Sequence, residues 1–238
     1  VPKEIKPQEN RIGLTPDSVK ILTSNGHEVL VENNGGFEAG FYNEQYKIAG
    51  AKIINKAEDI FNDSEIIVKV KEPLSNEVKM IRENQIIFTY LHLAAAKELT
   101  EGLIKSKAVC IAYETVTDKN SKLPLLAPMS AVAGRMSIQA GAHSLEKTQQ
   151  GRGLLLGGAP GVNPANVLIL GGGVVGENAS EIATGMKAEV TILDKSAQRL
   201  KELQNKFGEL INPQLIDDID LKALVKECDL LIGGVLIP

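Results

Sequence analysis

The chain has 238 residues, of which 43% are hydrophobic and 24% charged, and its formal net charge is −4. That balance belongs to a soluble globular protein of one large or two ordinary domains, and the acidic excess argues against a general nucleic-acid binder, which needs a basic surface. No apolar run approaches a membrane span, and the polar start VPKEIKPQENR is not a signal peptide.

In chain order, residues 1–11 are polar and carry a turn. Thr15-Pro16-Asp17 announces a helix to about Ser24, with Thr15 as cap and Pro16 in the first turn. His27–Glu32 alternates as a strand, Gly35–Gly40 is a loop, and Asn43–Ala49 reads as a helix. Strands are expected at Lys52–Asn55, Glu65–Val70, Gln85–Tyr90 and Ala108–Tyr113, with helices at Ala57–Asn62, Ser75–Met80 and Lys97–Ser106 between them. Strand and helix alternate, so this half is a parallel α/β layer. A polar loop, Asp118–Leu123, and Pro124 mark a domain junction, dividing the chain into 1–124 and 125–238. A long helix rich in Ala, Met, Ile and Leu is expected from Ser130 to about Gln150, with Ser130 placed to cap it. A loop follows over residues 151–164, with five glycines and two prolines.

Residues 167–194 then form the most informative stretch. Val167–Leu170 is an apolar strand, Gly171, Gly173 and Gly176 fit G-x-G-x-x-G, Glu177–Met186 continues as a helix, and Val190–Leu193 is a second strand ending at Asp194. Gly171 permits the tight turn, Gly173 lets a pyrophosphate approach the backbone, and Gly176 lets helix and sheet pack closely. The helix N-terminus offers N–H groups and partial positive charge to phosphates. Asp194, about twenty residues on, can accept from ribose hydroxyls and would repel a 2′-phosphate, so the cofactor read from these residues is NAD. The bland alternative is a glycine-rich turn in some other α/β protein. A helix at Ala197–Phe207, a weak strand at Gln214–Ile216, a helix at Leu221–Cys228 and a strand at Asp229–Ile232 complete about four strands, where a doubly wound domain has about six. The expectation is therefore two Rossmann-like α/β domains with parallel sheets, the second a dinucleotide-binding domain cut short at its C-terminal end.

Chemistry must come from outside that turn. Lys71 and His92 stand at the ends of apolar strands, where α/β sheets bind ligands, and Arg11 lies in the N-terminal turn region. An arginine grips a carboxylate with paired N–H bonds, a lysine holds a carbonyl oxygen as a point charge, and a histidine moves protons near neutral pH. Each also has an ordinary reading: a solvated surface cation for Arg11 and Lys71, a satisfied core imidazole for His92. Glu72 and Glu114 flank these positions with weaker claims. His27 and His143 read as structural, and three histidines do not make a histidine-rich metal site. Cys110 and Cys228 are far apart in apolar contexts and read as buried free thiols, which suits a reducing cytoplasm.

The stretches VPKEIKPQENRIGLTP, VKVKEPL, FTYLHLA, IAYETV, PLLAPMSAVAGRM, the GGAPGV loop and LILGGGVVG together resemble the alanine dehydrogenase family, in that family's order and over nearly the whole chain. The related transhydrogenase α subunit is the weaker match, expected to lack the pairing of VKVKEP with LHLA. The resemblance implies NAD-dependent, reversible oxidative deamination of L-alanine to pyruvate and ammonia. It implies Arg11 and Lys71 as substrate-binding residues and His92 as general acid/base. It implies NAD contacts from Ser130, from Gly171, Gly173, Val174, Val175 and Gly176 in the turn, and from Asp194, Arg199, Val235 and Leu236. It further implies a homo-oligomer, commonly a hexamer, with small-molecule substrates, while the cytoplasmic setting and the absence of a metal are expectations from the cysteines and histidines above. The family's second catalytic group, an aspartate, and the helices completing its first domain would lie beyond Pro238. The competing readings are a transhydrogenase α-type subunit and a non-catalytic NAD(H)-binding module.

Overall fold

The computed structural model describes residues 1–235. The chain divides into two compact units, Val1–Leu125 and Leu126–Pro238. Among the described residues no helix is long and apolar enough to cross a membrane.

The first unit runs α1 (Pro16–Ser24), β1 (Leu30–Glu32), α2 (Asn43–Ile48), β2 (Lys52–Ile54), α3 (Ala57–Asp63), β3 (Ile66–Val68), α4 (Ser75–Val78), β4 (Ile86–Thr89), α5 (Lys97–Ser106) and β5 (Val109–Ala112). The Thr15 hydroxyl caps α1 by accepting from the Ser18 N–H at 3.3 Å. All strand pairs are parallel, but they form two ladders, β1-β2 and β3-β4-β5, rather than one layer. The N-terminal segment lies against β3 instead of a further strand: a Cβ on Gly13 would stand 2.8 Å from the Val68 carbonyl oxygen. One apolar core, with Val19, Val31 and Tyr46, supports the first ladder; a second, with Ile60, Phe61, Ile67, Ile87 and Leu91, supports the other.

A buried charge fixes the end of β3. The Lys69 ammonium lies 2.7 Å from Glu77 and 3.2 Å from Glu4, and all three side chains are almost wholly buried. Glu4 also accepts from the Val70 N–H at 2.6 Å, and the other oxygen of Glu77 accepts from the Leu74 N–H at 2.8 Å, capping α4. An ammonium in an apolar interior is tolerated only when paired and hydrogen-bonded, and here the pairing ties the N-terminal segment, β3 and α4 together.

The second unit runs α6 (Ala127–Ser144), β6 (Asn166–Leu170), α7 (Val174–Gly185), β7 (Glu189–Asp194), α8 (Ala197–Phe207), β8 (Ile211–Leu215), α9 (Leu221–Glu227) and β9 (Leu230–Gly233). Its four parallel strands stand in the order β8-β7-β6-β9, the 3-2-1-4 start of a doubly wound dinucleotide fold. β8 is longer than its sequence promised. Pro213 and Asn212 depress strand propensity, yet β8 is an edge strand, where a missing N–H costs no ladder bond. Gly134, Ile138 and Gly141 form the buried face of α6 at helical spacing, continued by the buried Leu145 at its C-cap. Gly134 allows α6 to meet α7, since a Cβ there would lie 2.2 Å from the Val175 carbonyl oxygen.

Three expectations change. The long helix begins at Ala127 and ends at Ser144, so Ser130 is not its cap; Pro128 suits the first turn, and the Ser130 N–H already bonds the Leu126 carbonyl at 3.0 Å. Several strands are shorter than expected, as with Leu30–Glu32 against His27–Glu32, where His27 and Glu28 are exposed and lie outside the ladder. Cys110 and Cys228 are free but half-buried, one on an edge strand and one ending α9, and burial pushes both thiols up.

Replacing Lys69 with methionine leaves Glu4 and Glu77 buried without a counter-ion. The expected cost is about 3–5 kcal/mol of unfolding free energy, read as a lower denaturation midpoint of the first unit. Lys52→Met, which removes an exposed partner of Glu28, is expected to move it little.

Candidate functional site

In the first unit, β3 and β4 run parallel with Ile66 opposite Ile86 and Val68 opposite Phe88. Backbone bonds continue past the strands, from Lys69 N–H to Phe88 at 3.1 Å and from Tyr90 N–H to Val70 at 3.2 Å. The chain therefore delivers Lys71 and His92 from neighbouring strand ends, on the side where parallel sheets bind ligands. Lys71 has a fixed backbone: its carbonyl accepts from the buried Thr89 hydroxyl at 2.9 Å, and its N–H faces Glu4 at 3.4 Å. Its ammonium makes no hydrogen bond or ion pair among the described residues.

Arg11 arrives from the N-terminal segment that lies against β3. Glu9 orients it, accepting from Nε at 2.8 Å, from Nη2 at 2.6 Å and from the backbone N–H at 3.0 Å. The hydrogen bonds from Arg11 bring the Glu9 carboxyl down to about 2, against the opposing effect of burial, with further help from the Lys71 charge. Arg11 also acts electrostatically on Tyr90. Arg11, Lys71 and the Tyr90–His92 segment thus gather at one end of the sheet. His92 is exposed, and its ring stacks on Tyr90 with centroids 5.9 Å apart and planes 13° apart. Tyr90 in turn packs edge-on against Tyr113 at 5.0 Å and donates to the Leu125 carbonyl at 2.6 Å. Burial pushes the Tyr113 phenol up to about 12, so it stays neutral. Glu72 pairs with Lys6. A carboxylate fits two cations held this way, and the adjacent imidazole can exchange a proton with it or with water.

Lys69, Glu4 and Glu77 were not apparent as site-supporting residues from sequence. The available signal was Lys69 itself, one charge inside the apolar run IIVKV. Its partners, 65 residues before it and 8 after, carry no local mark.

In the second unit the three glycines do different things. Gly171 has φ 97°, a conformation that L side chains rarely adopt. A Cβ on Gly176 would stand 1.9 Å from the Gly171 carbonyl oxygen, so only glycine allows α7 to start there. A Cβ on Gly173 would meet nothing within 4 Å. The turn is therefore open at Gly173, where α7 begins with no side-chain cap and the N–H groups of its first turn, including Val174 and Val175, have no intrahelical acceptor. Asp194 ends β7 and is held by the Gly172 N–H at 2.6 Å and the Ser196 N–H at 2.8 Å, one on each oxygen. A carboxylate offers about four acceptor positions, so each oxygen can still accept from a ribose hydroxyl.

Arg199 belongs to this loop. Its Nε donates to the Gly172 carbonyl at 2.6 Å, Nη1 pairs with Glu202 at 3.1 Å, and Nη2 pairs with Glu177. Lys206 also pairs with Glu177 at 2.7 Å. These cations neutralise the one acid in the first turn of α7 and leave the helix end favourable to an anion. Ser130 lies one turn before Gly134, on the face of α6 that approaches the first turn of α7. Val235 is exposed and lies close to Gly171. Leu236 lies outside the described residues. This donor set fits a dinucleotide: free N–H groups and an open space for the pyrophosphate, and an anchored acid for a ribose.

Both halves of the chain match known proteins. Residues 1–133 match the model of the alanine dehydrogenase/PNT N-terminal domain, and residues 137–238 match that of its C-terminal domain. Over all 238 residues the chain is 51% identical to alanine dehydrogenase of Halomonas elongata, covering 64% of that protein. It is 50% identical to the Bacillus subtilis alanine dehydrogenase, covering 62%. A solved L-alanine dehydrogenase superposes with TM-score 0.90 at 50% identity, over all of this chain and 66% of the other. A transhydrogenase structure from Sinorhizobium meliloti shares the fold, with TM-score 0.78 at 23% identity. The chain thus spans a little under two thirds of the length of such relatives. Because the two models together account for nearly every residue, in the order in which they stand here, the chain belongs to the alanine dehydrogenase/PNT family.

Proposed function

We propose that the protein to which this chain belongs interconverts L-alanine, NAD and water with pyruvate, ammonia and NADH. The observation that carries this reading is the gathering of Arg11, Lys71 and His92 at one end of the β3-β4-β5 sheet. That set needs a small substrate with a carboxylate and a neighbouring carbon that becomes a carbonyl. NAD when bound supplies the hydride acceptor; Gly173, the first-turn N–H groups of α7 and Asp194 are the groups that would hold it, and Asp194 favours a free ribose hydroxyl over a 2′-phosphate.

Arg11 binds the carboxylate of alanine, with Glu9 setting the plane of its guanidinium. Lys71 places its ammonium at the oxygen of pyruvate, or at the oxygen that forms as alanine is oxidised. Loss of hydride from the alanine Cα leaves an iminium carbon that water attacks. His92 takes a proton from that water as its oxygen bonds to carbon and delivers it to the nitrogen; the C–N bond then breaks, ammonia leaving with the bonding pair, and His92 takes the remaining hydroxyl proton as the carbonyl forms and passes it to solvent. The names of the relatives support alanine as the amino acid, and pairing a strand-end imidazole with a carboxylate-sized cation site distinguishes this reading from nucleotide-to-nucleotide hydride exchange, which needs no substrate acid/base.

In the full-length protein, His92→Ala is expected to lower alanine-dependent NADH formation by about 10²-fold or more while NADH titration by fluorescence stays near wild type. Unchanged turnover would remove His92 from the reaction. Hydride exchange between nucleotides without alanine turnover would favour the transhydrogenase reading. The glycines separate cofactor contact from folding. Gly173→Ala is expected to leave the thermal midpoint nearly unchanged and weaken NADH binding by tenfold or more, about 1.4 kcal/mol, because its methyl enters open space. Gly176→Ala is expected to lower the midpoint as well, because its methyl meets the Gly171 carbonyl.

A further inference from the structure

We infer that Glu114 is the positioning residue for His92, an inference that rests on the reading of His92 as the acid/base. His92 has φ 51° and ψ 40°, the left-handed region that residues other than glycine seldom occupy. Its ring makes no hydrogen bond among the described residues and stacks on Tyr90. The place of the imidazole is therefore set mainly by its backbone, and Glu114 holds that backbone.

The His92 N–H donates to Oε1 of Glu114 at 2.7 Å, and the Leu91 N–H donates to Oε1 at 3.1 Å and Oε2 at 3.3 Å. Topology makes this possible. β5 pairs with β4 in parallel, with Thr89 opposite Ala112, so Glu114 stands two residues past the pair on one strand and Leu91 two residues past it on the other. A 3-10 turn at Tyr113–Thr115 closes β5 and directs the carboxylate across to the end of β4. Leu91 is buried in the core below, which fixes one end of the dipeptide while the carboxylate fixes its two N–H groups. Charged acceptors make shorter and stronger bonds to N–H groups than neutral ones, which suits a conformation that the chain would otherwise leave.

The test uses the full-length enzyme and four variants: Glu114→Ala, Glu114→Gln, His92→Ala and the Glu114→Ala/His92→Ala pair. Glu114→Ala is expected to lower kcat on the order of 10²-fold, the effect of misplacing a catalytic group by about an ångström. KM for alanine, which Arg11 and Lys71 govern, is expected to stay within about threefold, and NADH binding near wild type. Glu114→Gln keeps an oxygen where Oε1 stands and is expected to restore most of kcat. In the His92→Ala background, Glu114→Ala is expected to add less than about twofold, since a residue acting through His92 has nothing left to position. The inference is overturned if Glu114→Ala turns over as wild type, if it costs the same factor with and without His92, or if KM rises while kcat holds. Should Glu114→Ala not fold, Glu114→Asp withdraws the carboxylate by one methylene. It is then expected to lower kcat at unchanged KM, and wild-type kcat in that variant overturns the inference equally. Wild-type turnover in His92→Ala alone would instead defeat the acid/base reading, and the two failures are told apart by which single variant is silent.

Discussion

The first unit depends on one unusual demand: a lysine ammonium at the end of β3 with almost no contact with water. Removing an ammonium from water costs several kcal/mol even after relaxation, and the chain meets that cost with two carboxylates, Glu4 and Glu77. Each of those carboxylates has a second oxygen, and each second oxygen is used on backbone. Glu4 takes the Val70 N–H and Glu77 takes the Leu74 N–H. The same three side chains therefore set the path of residues 70–74, which carry Lys71. They also place the N-terminal segment against β3, which is how Arg11 comes to the same end of the sheet. α4 has four residues, too few to be stable alone, and its cap is one arm of this cluster.

The second unit depends on a different constraint, the distance between two stretches of backbone. Gly176 brings α7 to within contact of the Gly171 carbonyl, and no larger residue fits. That contact turns the chain sharply from β6 into α7 and exposes the helix end. Asp194 and Arg199 then hold Gly172 from either side, one through its N–H and one through its carbonyl. The loop is thus ordered by the protein's own hydrogen bonds.

Both units apply the same rule to different ends. Parallel strands bring their C-terminal ends to one edge, and residues at or just past the end of the ladder can be aimed at a ligand without disturbing the core. In the first unit those residues are cationic and titratable. In the second they are glycines and an acid. Three supporting carboxylates, Glu4, Glu9 and Glu114, bond the backbone N–H groups of candidate residues or of their neighbours.

What the sequence determined alone was local. The glycine spacing with its flanking strand, helix and acid specified the turn at 171–176, because backbone sterics act between near neighbours. The apolar runs ending in Lys71 and His92 marked strand ends, because short runs of β-branched and aromatic residues suit the pleated surface of a sheet. The beginning of the long helix was misread because Ser130 has the chemistry of a cap, while Pro128 and the turn before it decide where helical bonds begin. Tertiary structure alone decided the rest. Glu4 meets Lys69 across 65 residues and Glu114 meets His92 across 22, pairings that no periodicity encodes. The left-handed backbone at His92 is equally silent in the sequence, since histidine has no intrinsic preference strong enough to signal it. Charges buried far apart in the chain find each other only after folding has removed water from between them.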